Sequence, residues 1–213
     1  MRLPFTADQF LDIFAAYNVA LWPFEGMLWI ATAWVTFTLV SGRARSSVVV
    51  ALAAAHWGWS GLVYHAFYFS RINPAAWIFA ALFVIQAIAF VWAGARKVRL
   101  TFEHGRTFRR ALGDTFLVLS AVYPILVWLS NHTYPRAPAY GVPCPTTLFT
   151  TGVLLTAVAP PRTLFAIPIL WSLIGGSAAL ILDMPPDVTL LAAAVCLTCS
   201  CATPRVNIST GEG

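Results

Sequence analysis

The sequence has few charged residues. Charged side chains make up 10% of its 213 residues, whereas a typical globular chain has about 25%. Hydrophobic residues make up 59%, and the mean hydropathy is +0.76. Since so few charges cannot coat a surface that faces water, a soluble domain is excluded, and the lipid bilayer is the predicted solvent.

Several functional motifs are also missing. Lys97 is the only lysine, and it lies in a predicted loop, so a retinal Schiff base is excluded. The chain has no GxxxxGK[ST] loop, no GxGxxG after a strand and no GxSxG. We therefore expect no retinal and no nucleotide. The net charge of +5 is concentrated between apolar runs, a pattern that also excludes a nucleic-acid surface.

Apolar runs occupy most of the chain. A membrane-spanning helix needs about 20 apolar residues, and the fifth of seven candidate runs is the shortest, so six spans is the alternative count. No internal repeat or linker is visible, and residues 1–213 are predicted to form a single membrane domain. The predicted fold class is all-α, a polytopic membrane helical bundle of seven transmembrane helices at residues 24–41, 47–69, 75–95, 111–130, 145–160, 164–182 and 187–203.

Basic residues are concentrated in alternate loops. Arg43 and Arg45 follow the first span, six basic residues lie within 96–110, and Arg162 and Arg205 come later. With seven spans, all of these fall on one side of the membrane. Because positive loops stay in the cytoplasm, we expect an N-terminus outside and a C-terminus inside in a multi-pass protein of the bacterial cytoplasmic (inner) membrane.

Residues 7–22 are predicted to form a short amphipathic helix on the outer face. Thr6 can cap this helix, and Gln9 completes a capping box. The helix has no basic residue, so attraction to anionic lipid is not its expected role. We expect it to pack over the outer mouth of the bundle through one apolar stripe, formed by Phe10, Ile13, Phe14, Tyr17 and Leu21.

Prolines and small residues predict details of the bundle. Pro124 and Pro168 are expected to kink the fourth and sixth spans, because each removes a backbone hydrogen bond. Gly58 and Gly61 share one face of the second span with His65. Small residues at this spacing allow close helix approach, so His65 is expected to face the interior.

Polar and ionisable residues sort toward the outer end of the predicted bundle. Such residues are costly at membrane depth and are often functional. None of them shows a motif spacing such as HExxH or CxxC, so only the fold can bring them together. The predicted binding site for a small solute or ion comprises Glu25, His65, Asn73, His132, Tyr134, Cys144 and Thr147.

Within this set, His65, His132 and Cys144 form a tentative metal site, for which zinc or copper is the expected ion. Each site residue also has a structural alternative. His65 can be a buried imidazole that bonds to a neighbouring helix, and Glu25 can favour the N-terminus of its helix. Thr147 can bond back to a preceding carbonyl. His56 lies nine residues before His65, on the opposite helix face, so the two histidines cannot share an ion.

Three segments carry a resemblance: PFTADQFLDIFAAYNVALWP, YHAFYFSRINPAAWIFAALFVIQA and YPRAPAYGVPCPTTLFTTGVLL. In these segments the chain resembles an uncharacterised family of bacterial multi-span integral membrane proteins, which has only a domain-of-unknown-function label. The resemblance covers most of the chain, and INPAAW and PCPTT are its most specific parts. It implies a membrane fold and a bacterial origin, but it implies no activity and no site residues.

Three functional hypotheses follow. The first is an integral membrane protein that binds or transports a small solute or metal ion at the periplasmic end of the bundle. The second is an accessory structural subunit of a larger membrane complex, or a homo-oligomer. The third is a membrane-embedded metal-dependent hydrolase in which His65, His132 and an aspartate hold zinc. It resembles ceramidase-like hydrolases only in topology, because the last span lacks their paired histidines. The sequence leaves enzymatic activity open and favours the first hypothesis.

Overall fold

The computed structural model describes residues 4–95, 100–102, 105 and 107–203. Five of the predicted loop cations, Arg96, Lys97, Arg99, Arg106 and Arg205, lie outside the described residues. The described chain is mostly helical, with a π-helix at Ser60–Tyr68 and two short strands, β1 (Thr101–Phe102) and β2 (Ala157–Val158). Its α-helices are α1 (Ala7–Leu21), α2 (Phe24–Val40), α3 (Ser46–Trp59), α4 (Ala76–Ala95), α5 (Phe108–Ala121), α6 (Tyr123–Leu129), α7 (Pro143–Thr156), α8 (Ala166–Leu182) and α9 (Thr189–Ala202).

Four helical stretches in the described part of the chain are long and apolar enough to cross a membrane: Ser46–Arg71, Ala76–Ala95, Arg162–Leu182 and Pro185–Ala202. Two bent pairs raise the number to six if each pair is one span. The first is α1 with α2, bent by 90°, and the second is α5 with α6, bent by 65°. The predicted all-α architecture is confirmed, and the count of seven spans stays a prediction.

The predicted fifth span is the helix that differs most from expectation. It forms α7, which has 14 residues, and every one of them except Cys144 is buried. It packs against α3, α5, α8 and α9. A helix that is buried on all sides is a core element, and at a rise of about 1.5 Å per residue it is only about 21 Å long. It is therefore the shielded centre of the bundle.

Close backbone contact places α7 against α5. An added Cβ at Gly152 would lie 2.8 Å from the carbonyl oxygen of Gly113. One at Gly113 would lie 2.6 Å from Cγ2 of Thr156. Because both helices carry glycine where they meet, their backbones approach more closely than any side chain would permit.

The two predicted proline kinks have different outcomes. Pro124 lies at the start of α6, where the chain bends by 65° after α5, so that prediction is confirmed. The kink at Pro168 is wrong. Pro168 is the third residue of α8, and in the first helical turn an N–H group has no intrahelical acceptor to lose. Proline at that position starts a helix without bending it.

The predicted amphipathic helix is confirmed as α1. Thr6 and Gln9 form the capping box, with Gln9 N–H donating to Thr6 Oγ1 at 3.2 Å and Thr6 N–H donating to Gln9 Oε1 at 2.9 Å. Ile13, Phe14 and Tyr17 of the apolar stripe are buried against the rest of the protein. α1 therefore covers one end of the bundle, which we call the α1 end.

The other end gathers the segments that carry the predicted positive charge, and we call it the basic end. β1, in the loop after α4, pairs antiparallel with β2, which follows α7. Arg109 donates hydrogen bonds to Ser200 of α9 and to the carbonyl oxygen of Ala157. Arg110 forms an ion pair with Asp114, at 2.9 Å, and also donates to the carbonyl of Leu39 at 2.6 Å.

Candidate functional site

A cavity of about 150 Å³ lies at the α1 end of the bundle. We call it the α1-end pocket. It is bounded by Phe10 and Phe14 of α1, by His65 of the π-helix, by Cys144 at the start of α7 and by Trp171 of α8. Four segments far apart in the sequence therefore form one pocket.

Aromatic side chains form a large part of the wall of the α1-end pocket. The His65 ring lies edge-to-face with Trp171, at a centroid distance of 5.0 Å, and with Phe83 behind it at 4.7 Å. Aromatic pairs prefer this arrangement, because a positive ring edge meets a negative ring face. The aromatic side chains that line the pocket are Phe5, Phe10, Phe14, Tyr64, Phe69, Phe79 and Trp171.

His65 is fully buried, and it lies in the π-helix that continues α3. Neither Nδ1 nor Nε2 has a hydrogen-bond partner within the described residues. A buried polar group without a partner costs on the order of 1–3 kcal/mol, and π-helical segments occur frequently at functional sites. The structural alternative was a hydrogen bond from His65 to a neighbouring helix, and the described residues contain no such bond.

Trp171 carries a second buried polar group. The residue is 8% exposed, and its indole Nε1–H finds no acceptor among the residues that the structure describes. Gly175 follows one turn later on α8, and an added Cβ there would lie 3.2 Å from this nitrogen and 3.0 Å from Cδ1 of Leu190. Glycine at position 175 therefore lets the indole and Leu190 pack closely against α8.

Asp187 also lines the pocket, from the turn between α8 and α9. Its Oδ1 accepts a hydrogen bond of 2.6 Å from the hydroxyl of Tyr123. Cys144 and His132 are close enough to interact electrostatically with this carboxyl group. The carboxyl group is thus held by a donor from α6.

α1 covers the pocket and is fastened to the loop at residues 131–142. Arg136 forms ion pairs with Asp8 and Asp12, each at 3.0 Å. The hydrogen bond with Asp8 raises the pKa of Arg136 above its ordinary value. Asn18 donates to the carbonyl oxygens of Pro135 and Ala137, both at 2.7 Å. The cover is therefore held by exposed ion pairs and by buried hydrogen bonds.

A second set of contacts fixes the same loop from inside. Tyr17 donates to the carbonyl oxygen of Tyr140 and accepts from Trp59 Nε1, both at 2.8 Å. Gly141 has a φ of +84°, and an added Cβ would lie 2.6 Å from the Trp59 indole. Tyr140 donates to the carbonyl of Ser120, and burial raises the pKa of Tyr140 above its ordinary range. Only glycine fits at position 141.

Three of the predicted site residues line the α1-end pocket, namely His65, Asn73 and Cys144. The Oδ1 of Asn73 accepts a hydrogen bond of 3.1 Å from the backbone N–H of Ala75, so this side chain also caps the start of α4. The structure therefore brings together an imidazole, an amide and a thiol that the sequence placed at one end of the bundle.

The other four predicted residues do not line the pocket. Glu25 is buried at the start of α2 and interacts electrostatically with Tyr17. The Tyr134 side chain is 58% exposed, and its hydroxyl lies 3.4 Å from the carbonyl oxygen of Asn18. His132 Nδ1 lies 3.0 Å from the carbonyl oxygen of Ser130. Thr147 donates to the carbonyl of Pro143 at 2.9 Å, as the structural alternative predicted.

The metal hypothesis receives no support from this geometry. His65 and Cys144 line the pocket and His132 does not. Among the described residues, no group of three or more histidine, cysteine, aspartate or glutamate side chains is arranged to hold a metal ion. Zinc and copper binding therefore stays a prediction from the sequence.

A separate polar cluster surrounds His56 deeper in the bundle. His56 Nε2 lies 2.8 Å from Thr32 Oγ1, and its Nδ1 lies 3.4 Å from Thr146 Oγ1. Trp57 donates to Thr150 at 2.8 Å in the next layer. These contacts join α2, α3 and α7, and His56 shares none of the pocket lining with His65.

Sequence reasoning missed two parts of the pocket. Trp171 and the phenylalanines resembled ordinary span and interface residues, because an apolar sequence does not reveal which rings face each other. Asp187 was not assigned to the predicted site. The PPD sequence of its turn, which places a carboxylate at the entry of the last helix, was the available signal.

Comparison with known protein families identifies a match over most of the chain. Residues 7–210 match a family described as a family of unknown function (DUF6064). No curated protein and no solved structure is significantly similar to this chain. The match covers all of the elements that form the α1-end pocket except residues before Ala7, and it carries no activity with it.

Proposed function

We propose that this chain, which belongs to the family of unknown function DUF6064, is an integral membrane protein that binds a small molecule in the α1-end pocket. The pocket faces the periplasmic side of a bacterial inner membrane in this proposal. α1 is the cover through which the molecule enters. The observation that carries the proposal is a cavity of about 150 Å³ bounded by segments far apart in the sequence.

The outer faces of the helices support insertion in a membrane. On α4, the side chains of Ile78, Ile85, Ile88 and Val91 are between 54% and 64% exposed. They recur every three to seven residues on one helix face. In water this band would be an exposed apolar patch of the kind that marks interaction or membrane surfaces. In lipid it meets acyl chains, and the few charges of the sequence are no longer needed to coat it.

The distribution of charge supports the proposed orientation. Arg43, Arg45, Arg109, Arg110 and Arg162 all belong to segments at the basic end. Positive loops are retained in the cytoplasm, so the α1 end is proposed to lie outside. α1 itself carries Asp8 and Asp12 but no basic residue, which agrees with a place on the outer face.

The pocket favours binding over a purely structural role. A tightly packed core leaves few voids larger than a water molecule. A pocket of about 150 Å³ bounded by separate segments leaves apolar side chains without packing partners unless a ligand fills it, and unfilled space of this kind costs stability. A subunit that only filled space in a larger complex would not need this cavity.

Orientation is tested with single cysteines in a background where the four native cysteines are replaced by serine. The Asp8 side chain is 85% exposed, and Arg43 is exposed at the basic end. A membrane-impermeant maleimide added to intact spheroplasts should label Asp8→Cys at once and Arg43→Cys only after lysis. The reverse pattern would invert the topology. Release of the protein by carbonate washing would contradict membrane insertion.

Binding is tested by thermal unfolding of the purified protein against a library of neutral, anionic and cationic small molecules, with zinc and copper salts included. A ligand that binds only the folded protein raises its stability by mass action. Hits should lose their effect in Gly175→Leu, which fills the pocket beside Trp171, and keep it in Trp34→Phe, a surface change at a 57% exposed residue. If every hit acts equally on both variants, the pocket is not the binding site.

A further inference from the structure

A second cavity lies at the basic end, between the end of α2 and the start of α3. It has a volume of about 280 Å³, and we call it the α2–α3 groove. The described residues that line it are Trp34, Thr38, Arg43, Arg45, Val48 and Val49. This lining contains two guanidinium groups and no carboxylate, so the groove is suited to an anion.

The backbone holds both arginines in defined positions. α2 ends in a Schellman motif, in which the N–H of Arg43 donates to the carbonyl oxygen of Thr38 at 2.8 Å. The N–H of Gly42 donates to the carbonyl oxygen of Leu39 at 3.0 Å, and the φ of Gly42 is +69°, as this cap requires. Arg45 is the N-cap residue of α3, and its carbonyl oxygen accepts from the first turn of that helix. The two arginines are therefore carried by a short turn with a fixed backbone.

Both guanidinium groups are available to a ligand. Within the described chain, no ion pair or side-chain hydrogen bond involves Arg43 or Arg45, and both residues are exposed. Arg109 and Arg110 differ from them, since both donate to backbone carbonyl oxygens of other helices. Two like charges that line one cavity repel each other. A phosphate group would remove this repulsion and can accept paired hydrogen bonds from each guanidinium.

The apolar side of the groove matches the depth of a lipid. Trp34 is 57% exposed, and it lies on α2, which ends at Val40. At a rise of about 1.5 Å per residue, Trp34 is about 9 Å below the end of the helix. The polar region on each side of a bilayer is roughly 5–8 Å thick, so Trp34 lies near the edge of the hydrocarbon, where tryptophan is enriched. The two arginines then lie at the level of the lipid phosphates.

We propose that the α2–α3 groove binds the phosphate head group of an anionic phospholipid from the cytoplasmic leaflet. Arg43 and Arg45 hold the phosphate, and Trp34 contacts the upper part of the acyl chains. Basic pockets between transmembrane helices on the cytoplasmic side bind such head groups in membrane proteins. This site is separate from the α1-end pocket and goes beyond its ligand. It requires membrane insertion, which carbonate washing tests independently.

The test measures lipid binding to the detergent-purified full-length protein by native mass spectrometry. Anionic phosphatidylglycerol and zwitterionic phosphatidylcholine, with the same acyl chains, are titrated in parallel. Each arginine near the lipid contributes a factor of about five, so the first phosphatidylglycerol should bind at least about tenfold more tightly than phosphatidylcholine. Equal binding of the two lipids would overturn the proposal.

The key variants are Arg43→Gln and Arg45→Gln. Each should weaken the binding of phosphatidylglycerol about fivefold and leave that of phosphatidylcholine unchanged. Arg162→Gln is the matched control, because Arg162 is exposed at the same end and does not line the groove. It should change binding less than about twofold, since salt screens distant charges. Equal losses in all three variants would show diffuse attraction to the basic end and would overturn the site.

Two further measurements separate this site from other sources of phosphate and from the α1-end pocket. Inorganic phosphate and glycerol 3-phosphate are added as competitors at millimolar concentration. If either displaces phosphatidylglycerol, the groove takes a free phosphate, and the lipid assignment is wrong. Gly175→Leu, which alters the α1-end pocket, should bind phosphatidylglycerol as the wild type does. A loss of lipid binding in that variant would contradict the separation of the two sites.

Discussion

The contact between α5 and α7 gives the most quantitative prediction. Gly152 of α7 faces Gly113 and Leu117 of α5, and an added Cβ at Gly152 would lie 2.8 Å from both the carbonyl oxygen of Gly113 and the backbone nitrogen of Leu117. Both of these are backbone atoms, which cannot rotate away as the end of a side chain can. The substitution Gly152→Ala must therefore push the two helices apart.

The expected loss follows from two opposing terms. Overpacking a well-packed core costs about 1–3 kcal/mol, whereas alanine is about 0.8–1.0 kcal/mol better than glycine in a helix interior. We expect Gly152→Ala to lower the free energy of unfolding by up to about 2 kcal/mol. Gly58→Ala is the matched control, because its Cβ would lie 3.7 Å from the Cβ of Ala87, an ordinary contact. It should gain up to about 1 kcal/mol.

The assay is reversible unfolding in mixed detergent micelles, followed by tryptophan fluorescence, for which the nine tryptophans provide the signal. The two single-methyl variants should differ by about 2 kcal/mol, with Gly152→Ala the less stable. If Gly152→Ala matches or exceeds the stability of Gly58→Ala, the close approach of α5 and α7 is wrong. The central position of α7 would then lose its main support.

Two further predictions concern polar contacts. Thr32→Val removes the hydroxyl that lies 2.8 Å from the buried His56 ring, and it should lower the free energy of unfolding by about 1–3 kcal/mol. The control is Thr38→Val, whose hydroxyl bonds only its own helix and whose loss should be less than about 0.5 kcal/mol. Equal losses of stability in the two variants would contradict the role of the His56 cluster. Arg136→Ala removes the ion pairs that fasten α1 over the pocket. Exposed pairs contribute about 0–1 kcal/mol, so α1 should open more often in this variant. Alkylation of Cys144 in the pocket by N-ethylmaleimide should therefore accelerate about two- to fivefold. An unchanged alkylation rate would show that α1 does not control access to the pocket.

The helices and their order could be predicted because they depend on local composition. The apolar runs, the Thr6–Gln9 capping box and the bend near Pro124 each depend on residues that are close together in the sequence. Each of these features is present in the structure. The kink at Pro168 was wrong because its effect depends on where the helix begins. A shift of one turn in a helix start changes a proline from a break into a first-turn residue.

The candidate site could be predicted only as a set of residues at one end. His65, Asn73 and Cys144 do share a pocket, since helix direction alone places them together. Whether Glu25 and His132 join them depends on helix rotation, which the sequence does not give. The π-helix at Ser60–Tyr68 changes that rotation just where His65 lies, and its extra residue per turn has no clear sequence signal.

The sequence by itself determined the helical class of the chain, and it predicts a lipid solvent and an orientation, because these follow from sums over many residues: few charges, long apolar runs and basic residues in alternate loops. The tertiary structure decided which helix is central and which side chains meet. Burial of α7 on every side depends on two glycines from distant segments, and the pocket depends on space left beside Trp171 by small residues of α8. Such features arise from distances between elements, and a linear sequence contains none of those distances.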